Sequence, residues 1–328
     1  MNTVHKQQTF ERNQSKRNYG LGKNISFATA MVLRAAFGNG HYQTRDTHHQ
    51  RFRHFIRYCQ QEWRIKDIRD VQQSTLDHYV QHLKSEIDNK RFQISYAQNL
   101  LSTVNVVLKA FRGNDEISIT SPSKALGRRS HIRTRDPRCD MGQLTEIISE
   151  AKPLGLERAA AVALLAFAFG MRFREAVLAD LIRIRSESRT GEVTILEGCK
   201  GGRRCDERKI TIQDDQKFAL EYALSVKPKL SRNLLASGEK YIDFRRQEAR
   251  RLRSILKGNG IRHFHELRAA RLVLIYEEKA GVLPPFLGGA PTNEQDQKGR
   301  KYVAIAAGHG AQRTGVSYVG GKENDQGN

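Results

Sequence analysis

The sequence is short of cysteine, tryptophan, proline and acidic side chains, and it has no long apolar run. Its 4 cysteines, Cys59, Cys139, Cys199 and Cys205, are scattered along the chain. No pair has the two-residue spacing of a zinc knuckle, which argues against a zinc or disulfide framework and for free thiols. Cys199 and Cys205 flank a basic Lys-Gly-Gly-Arg-Arg turn and have no second pair nearby. No stretch approaches the roughly 20 apolar residues that span a bilayer. The longest, Ala159 to Gly170, has the length of a buried helix. Residues 1–24 are polar and basic without an apolar h-region, so no secretory signal is expected. Cytoplasmic, nucleoid-associated residence is the default expectation.

The deficit of acid is the informative one. Lys and Arg total 56 against 35 Asp and Glu, a formal charge of +21, with an isoelectric point near 10.1. A polyanionic partner offsets the self-repulsion of such a chain and releases counterions on binding. Nucleic acid fits that requirement. An acidic membrane surface would call for a long basic amphipathic helix with a Trp/Phe/Leu face, and the sequence has none. RNA recognition through an aromatic-rich strand motif has no counterpart either.

At 328 residues the chain is long enough for two cores. Residues 1–24 read as a basic, flexible arm. Over 25–116, apolar residues recur at helical spacing in four blocks. Met31, Val32, Ala35 and Ala36 mark the first, stopped by Gly38 and Gly40. Phe52, Phe55, Ile56, Cys59 and Trp63 mark the second, with Arg51, Arg53, His54 and Arg57 on its other face. Leu76, Tyr79, Val80 and Leu83 mark the third, and Leu100, Leu101, Val104, Leu108 and Phe111 the fourth. Residues 117–138 are polar and cationic, with Lys124, Arg128, Arg129, Arg133, Arg135 and Arg138, and contain Ser-Pro-Ser and Asp136-Pro137. That composition reads as a linker able to run along phosphates. The second domain is expected over 139–320. It has an apolar helix over 156–169, two alternating strands near 192–197 and 209–212, and helices near 214–224, 241–256 and 265–280. Residues 281–301 read as a loop, and 321–328 as a polar tail. The fold expected is therefore mainly α with one small β-hairpin, in two domains.

Within the second domain, four short segments carry chemistry. Gly170-Met171-Arg172-Phe173-Arg174-Glu175 ends the apolar helix, and an arginine emerging there needs an anion or an ion pair such as Glu175. Gly198-Cys199-Lys200-Gly201-Gly202-Arg203-Arg204 forms the hairpin turn, where a lysine can reach a phosphate or protonate a leaving oxygen. His265-Glu266-Leu267-Arg268 places His265 and Arg268 on one helical face. Gly308-His309 precedes Tyr318 by a short segment. Lys209 on the same hairpin rivals Lys200, and His263 is a weaker alternative to His265.

The order Arg, Lys, His-x-x-Arg, Gly-His, Tyr in a basic C-terminal domain resembles the catalytic signature of the tyrosine recombinases, the phage-integrase family. The resemblance extends over about residues 26–319, its N-terminal part looking like the family's helical core-binding domain. It implies that Arg172, Lys200, His265, Arg268, His309 and Tyr318 are catalytic and that Glu175 supports Arg172. It further implies that Lys124, Arg128, Arg129, Arg133, Arg135, Arg203 and Arg204 contact DNA. The implied reaction cleaves and rejoins DNA through a 3′-phosphotyrosine, without metal, nucleotide or other cofactor. Implied partners are double-stranded recombination sites, three further copies of the chain in a tetramer, and an accessory directionality factor. A type IB topoisomerase uses a similar residue set, and a silent DNA-binding relative is a further alternative. Three departures from the family pattern stand out: the long 281–301 segment, Ala306-Ala307 where a leucine is common, and the short polar tail after Tyr318.

Overall fold

The computed structural model describes residues 11–129, 132–199, 208–308 and 315–321. Among these the chain is mainly helical, with one two-stranded antiparallel sheet. It divides into two compact units, one ending at residue 130 and the other beginning at 131. No helix among the described residues is long and apolar enough to cross a membrane.

The first unit is built on α1 (Ile25–Phe37), α2 (Tyr42–Glu62), α3 (Gln73–Asp88) and α4 (Ile94–Arg112). Each turns one apolar stripe inward, as the helical spacing requires. Phe52, Phe55, Tyr79, Leu101, Leu108 and Phe111 are all within a percent or so of complete burial. Asn24 caps α1 by accepting from the Phe27 amide at 3.0 Å, and Gly113 closes α4 in the left-handed conformation. The arginine-bearing face of α2 remains outside, where Arg51, Arg53, His54, Arg57 and Tyr96 line a shallow open groove.

Residues 11–24, expected within a flexible arm, are anchored to the first unit at two buried residues while most of the others stay exposed. Asn18 and Tyr19 are buried, and both adopt positive φ, 49° and 58°. The Asn18 side chain donates to the Gly22 carbonyl at 2.7 Å and accepts from the Ile68 amide at 2.9 Å. The Asn18 amide donates to Asp67 Oδ1 at 2.9 Å. Asparagine tolerates the left-handed region because its side chain satisfies the local backbone. A polar residue thus anchors this segment, which is why composition concealed it. The expected connector is also partly taken up: α5 (Pro122–Leu126) is capped by Ser121, and Ile119 and Leu126 join the first core.

The second unit surrounds α7 (Glu157–Ala168), an alanine-rich helix buried on every side. Around it lie α6 (Met141–Ala151), α8 (Phe173–Leu178), α9 (Leu181–Ser188), α10 (Asp214–Val226), α11 (Tyr241–Arg246), α12 (Glu248–Gly258) and α13 (Phe264–Ala280). Small side chains on α7 let α10 and α13 approach closely. Strands β1 (Glu192–Thr194) and β2 (Lys209–Thr211) pair antiparallel, with Val193 opposite Ile210. The helix expected near 241–256 is two helices, broken at Gln247 (φ −98°, ψ −88°). The loop expected over 281–301 is corrected in its second half by α14 (Asn293–Ala306), which packs along α13. Thr292 and Gln295 form a reciprocal capping box at its start. Glu294, Lys298 and Lys301 face outward, while Val303 and Ala304 face in together with Asp296, which accepts from Tyr276 Oη at 2.7 Å. A one-turn helix, α15 (Val316–Val319), follows.

Candidate active site

Three helix ends and the foot of a strand meet beside α7. Gly170 ends the apolar run with φ +59°, and Arg172 is the N-cap of α8. The Glu175 carboxylate turns back to accept from the Arg172 amide at 2.7 Å. The same carboxylate accepts from Arg172 Nη1 at 2.6 Å and from Arg208 Nη1 at 2.8 Å. Arg268 Nη1 lies 3.6 Å away. Glu175 and Arg268 are fully buried and Arg208 nearly so, whereas 26% of the Arg172 side chain stays exposed. Burial alone would raise the Glu175 carboxyl, but the three guanidiniums and the Arg172 amide outweigh it and hold the pKa below the usual range.

The arginines are further fixed by backbone carbonyls. Arg268 donates to Gly170 O and to Ala307 O, both at 2.6 Å. Arg172 Nη2 also reaches Ala307 O, at 3.0 Å. Arg208 donates to Gly170 O at 3.0 Å and to Ala306 O at 2.8 Å. Ala306 and Ala307 lie at the C-terminal end of α14, where free carbonyls favour cations. One carboxylate against three guanidiniums leaves an excess of positive charge in a dry place. An anion entering from the exposed side of Arg172 would offset that excess.

Tyr318 is brought to this cluster by α15. Its hydroxyl accepts from Arg268 Nε at 3.3 Å, and the ring lies 5.7 Å from the Arg268 guanidinium carbon. Gly315 begins the turn with φ +67°, and a Cβ there would crowd Val303 at 3.2 Å. Val319 is fully buried and anchors the turn. The His265 ring stands 5.7 Å from that of Tyr318 and 6.3 Å from that of His263. Lost hydration in this crowded corner, then repulsion from Arg268, His263, Arg133 and Arg172, pushes the His265 pKa down to about 4. The residue as a whole nonetheless remains exposed. His265 is therefore neutral at neutral pH. Burial likewise lowers Arg268 to about 10, which leaves it charged.

The structure thus gathers Arg172, Glu175, His265, Arg268 and Tyr318 at one place. Lys200, Arg203, Arg204 and His309 lie outside the described residues. Lys209 is exposed on β2 opposite Thr194. Gly198, which leads into the Lys200 turn, passes so close to α8 that a Cβ would meet Arg174 O at 2.6 Å. His263 is the N-cap residue of α13. Lys124, Arg128 and Arg129 belong to the first unit, Arg133 and Arg135 to the second. Among the described residues, no group of three or more His, Cys, Asp or Glu gathers as metal ligands would.

Arg208 is the site residue that motif reading missed. Its signal was strand alternation: Arg208 shares one face with Ile210 and Ile212, while Lys209 and Thr211 take the exposed face. An arginine on the inward side of a strand needs a buried partner. Comparison of the chain with protein-family models, with curated proteins and with solved structures yields no match in any of the three.

Proposed function

We propose that this chain is a site-specific DNA recombinase of the tyrosine type, cutting and rejoining strands through Tyr318. The observation that carries the reading is the tyrosine hydroxyl held 3.3 Å from a buried, preset arginine, in a cluster with excess positive charge. The motif order along the sequence points the same way, and so does the overall charge of +21.

The chemistry is displacement at a phosphodiester, which is extremely slow in water. Tyr318 Oη attacks phosphorus, the new O–P bond replaces the bond to the 5′ oxygen, and a 3′-phosphotyrosine results. Negative charge grows on the non-bridging oxygens during this step. Arg172 and Arg268 offset it, each worth about 2.7–4 kcal/mol as a preorganised donor. The neutral imidazole of His265 takes the tyrosine proton. The charge of a bound phosphate counters the surrounding arginines, which raises His265 from about 4 and makes it a better base at the moment of need. Lys200 gives its proton to the departing 5′ oxygen, and His309 adds a hydrogen bond to the phosphate. Attack by a 5′ hydroxyl of another strand then reverses the chemistry and regenerates Tyr318.

Double-stranded recombination sites are the substrates in this reading, gripped by the α2 face and by Lys124, Arg128, Arg129, Arg135, Arg203 and Arg204. Four copies acting on two sites, with an accessory directionality factor, complete the scheme. The test is covalent trapping on nicked DNA from the ends of the host element, resolved under denaturing conditions. A protein–DNA adduct is expected with the natural chain and none with Tyr318→Phe. An adduct that persists without Tyr318 would assign the nucleophile elsewhere. Tight binding without any adduct would leave a DNA-binding protein without strand-cutting chemistry.

A further inference from the structure

Arg133 lies in the stretch read from the sequence as a tether, yet its setting is not that of a tether. Its neighbour Arg135 is pinned to the second unit by two contacts. Arg135 Nη2 donates to Gly260 O at 3.0 Å, and Nη1 lies 3.7 Å from Glu266 Oε1. Glu266 is itself nearly buried and holds the Arg262 amide at 2.7 Å. Residues 133–135 are thereby fastened to the first turn of α13, the turn that carries His265.

The Arg133 side chain is half-buried there. Its Nε is shielded from solvent and has no hydrogen-bond partner among the described residues, while Nη1 makes only a long contact, 3.4 Å, to Arg135 O. The carboxylates within its electrostatic reach, Glu266 and Asp136, are engaged by others: Glu266 by Arg135 and the Arg262 amide, Asp136 by Arg138 at 2.7 Å. The guanidinium is close enough to both His265 and Tyr318 for their charges to interact. A half-buried cation with a free donor, and with no counter-ion of its own among the described residues, is costly unless an anion completes it. An arginine serving only a distant stretch of DNA backbone would be expected to stay hydrated and exposed, as Arg138 is.

We infer that Arg133 is, after Arg172 and Arg268, a third guanidinium that contacts the scissile phosphate, donating through its buried edge to a non-bridging oxygen of the phosphate that Tyr318 attacks. This rests on the recombinase reading and adds to it a residue drawn from outside the motif. Arg172 is held at the start of α8 and Arg268 on α13, while Arg133 comes from the segment fastened to the first turn of α13.

The experiment measures single-turnover adduct formation, at saturating protein, on two nicked substrates. One carries an ordinary scissile phosphodiester, the other a methylphosphonate, which has no negative charge to neutralise. On the phosphodiester, Arg133→Ala is expected to slow adduct formation on the order of 10²-fold, the cost of one oxyanion donor. Arg133→Lys, which keeps the charge and loses the fork, should fall between. On the methylphosphonate, both variants should react at close to the rate of the unsubstituted chain. Equal losses by Arg133→Lys on both substrates, or no loss on either, would overturn the inference while leaving the recombinase reading intact. Failure of the unsubstituted chain to form any Tyr318 adduct would overturn both.

Discussion

The two units differ in how much charge their cores hold. The first relies on aromatic rings in contact, with Phe52 and Phe55 centroids 5.5 Å apart and Phe55 and Tyr79 5.0 Å apart. Among its described residues the one buried charge is Asp67, paired with Arg69 at 2.6 Å. The second packs larger aliphatic and aromatic side chains around the alanine-rich α7 and, unlike the first, buries Glu175, Arg208 and Arg268 almost completely. Buried ions are commonly no more stabilising than apolar groups of the same volume, and the first unit shows that this sequence can build a core without such a cluster. Folding alone therefore does not call for the charge in the second unit, whereas the proposed chemistry would.

The contrast is broken most severely at Glu175. Glu175→Gln keeps the volume but leaves three guanidiniums facing one another. It should destabilise the second unit by about 3–5 kcal/mol. Hydrogen exchange would register this as lost protection in α7 with α4 unchanged. Leu108→Ala is the converse experiment, a pure volume loss in the first unit expected to cost about 2–5 kcal/mol and to expose α4 amides instead. Asn18→Ala removes polar contacts rather than volume, and about 1–3 kcal/mol is expected in urea denaturation, confined to the packing of residues 11–24 and 66–71.

Acid should act on both units in the same direction. His265 has a folded pKa of about 4, below the roughly 6.5 of an unfolded histidine. Between those values the unfolded chain binds the proton more readily, so stability is lost as pH falls from about 6.5 towards 4. His48 and His54 in the first unit are lowered as well, by burial and then by Arg51 and Arg57 respectively. His265→Gln should reduce the acid loss in the second unit alone, seen as a smaller shift of its urea midpoint between neutral pH and about pH 5. Smallest in stability is Arg57→Ala, expected within about 0.5 kcal/mol. In a DNA-binding titration the same change should flatten the slope of log K against log salt by about 0.9.

Much of this was legible beforehand, for reasons that separate the two units again. Helices α1 to α4 follow directly from apolar spacing, because each has one wet face and one dry face. In the second unit the motif segments were visible as residue types. Their meeting at Glu175 was not, since five stretches far apart in sequence supply it. Arg208 was hidden inside a run of charges that reads as a solvated turn, and only strand alternation marks it as inward. Helix α14 was masked by flanking Pro and Gly and by its own charged face, although Thr292 and Gln295 already spelled a capping box. Asn18 and Arg133 eluded composition for a shared reason: each is a polar residue whose role depends on what folds around it.

The carbonyl of Ala307 accepts from Arg172, 135 residues earlier in the chain, and from Arg268, 39 residues earlier. Arg208 and Gly170 are joined across 38 residues, and Arg268 and Gly170 across 98. Contacts of such range require large loops to close before they form. A nascent or partly unfolded chain can thus possess every reactive side chain and still lack a reaction centre. The strand-cutting chemistry proposed above would accordingly require the whole second unit to be folded.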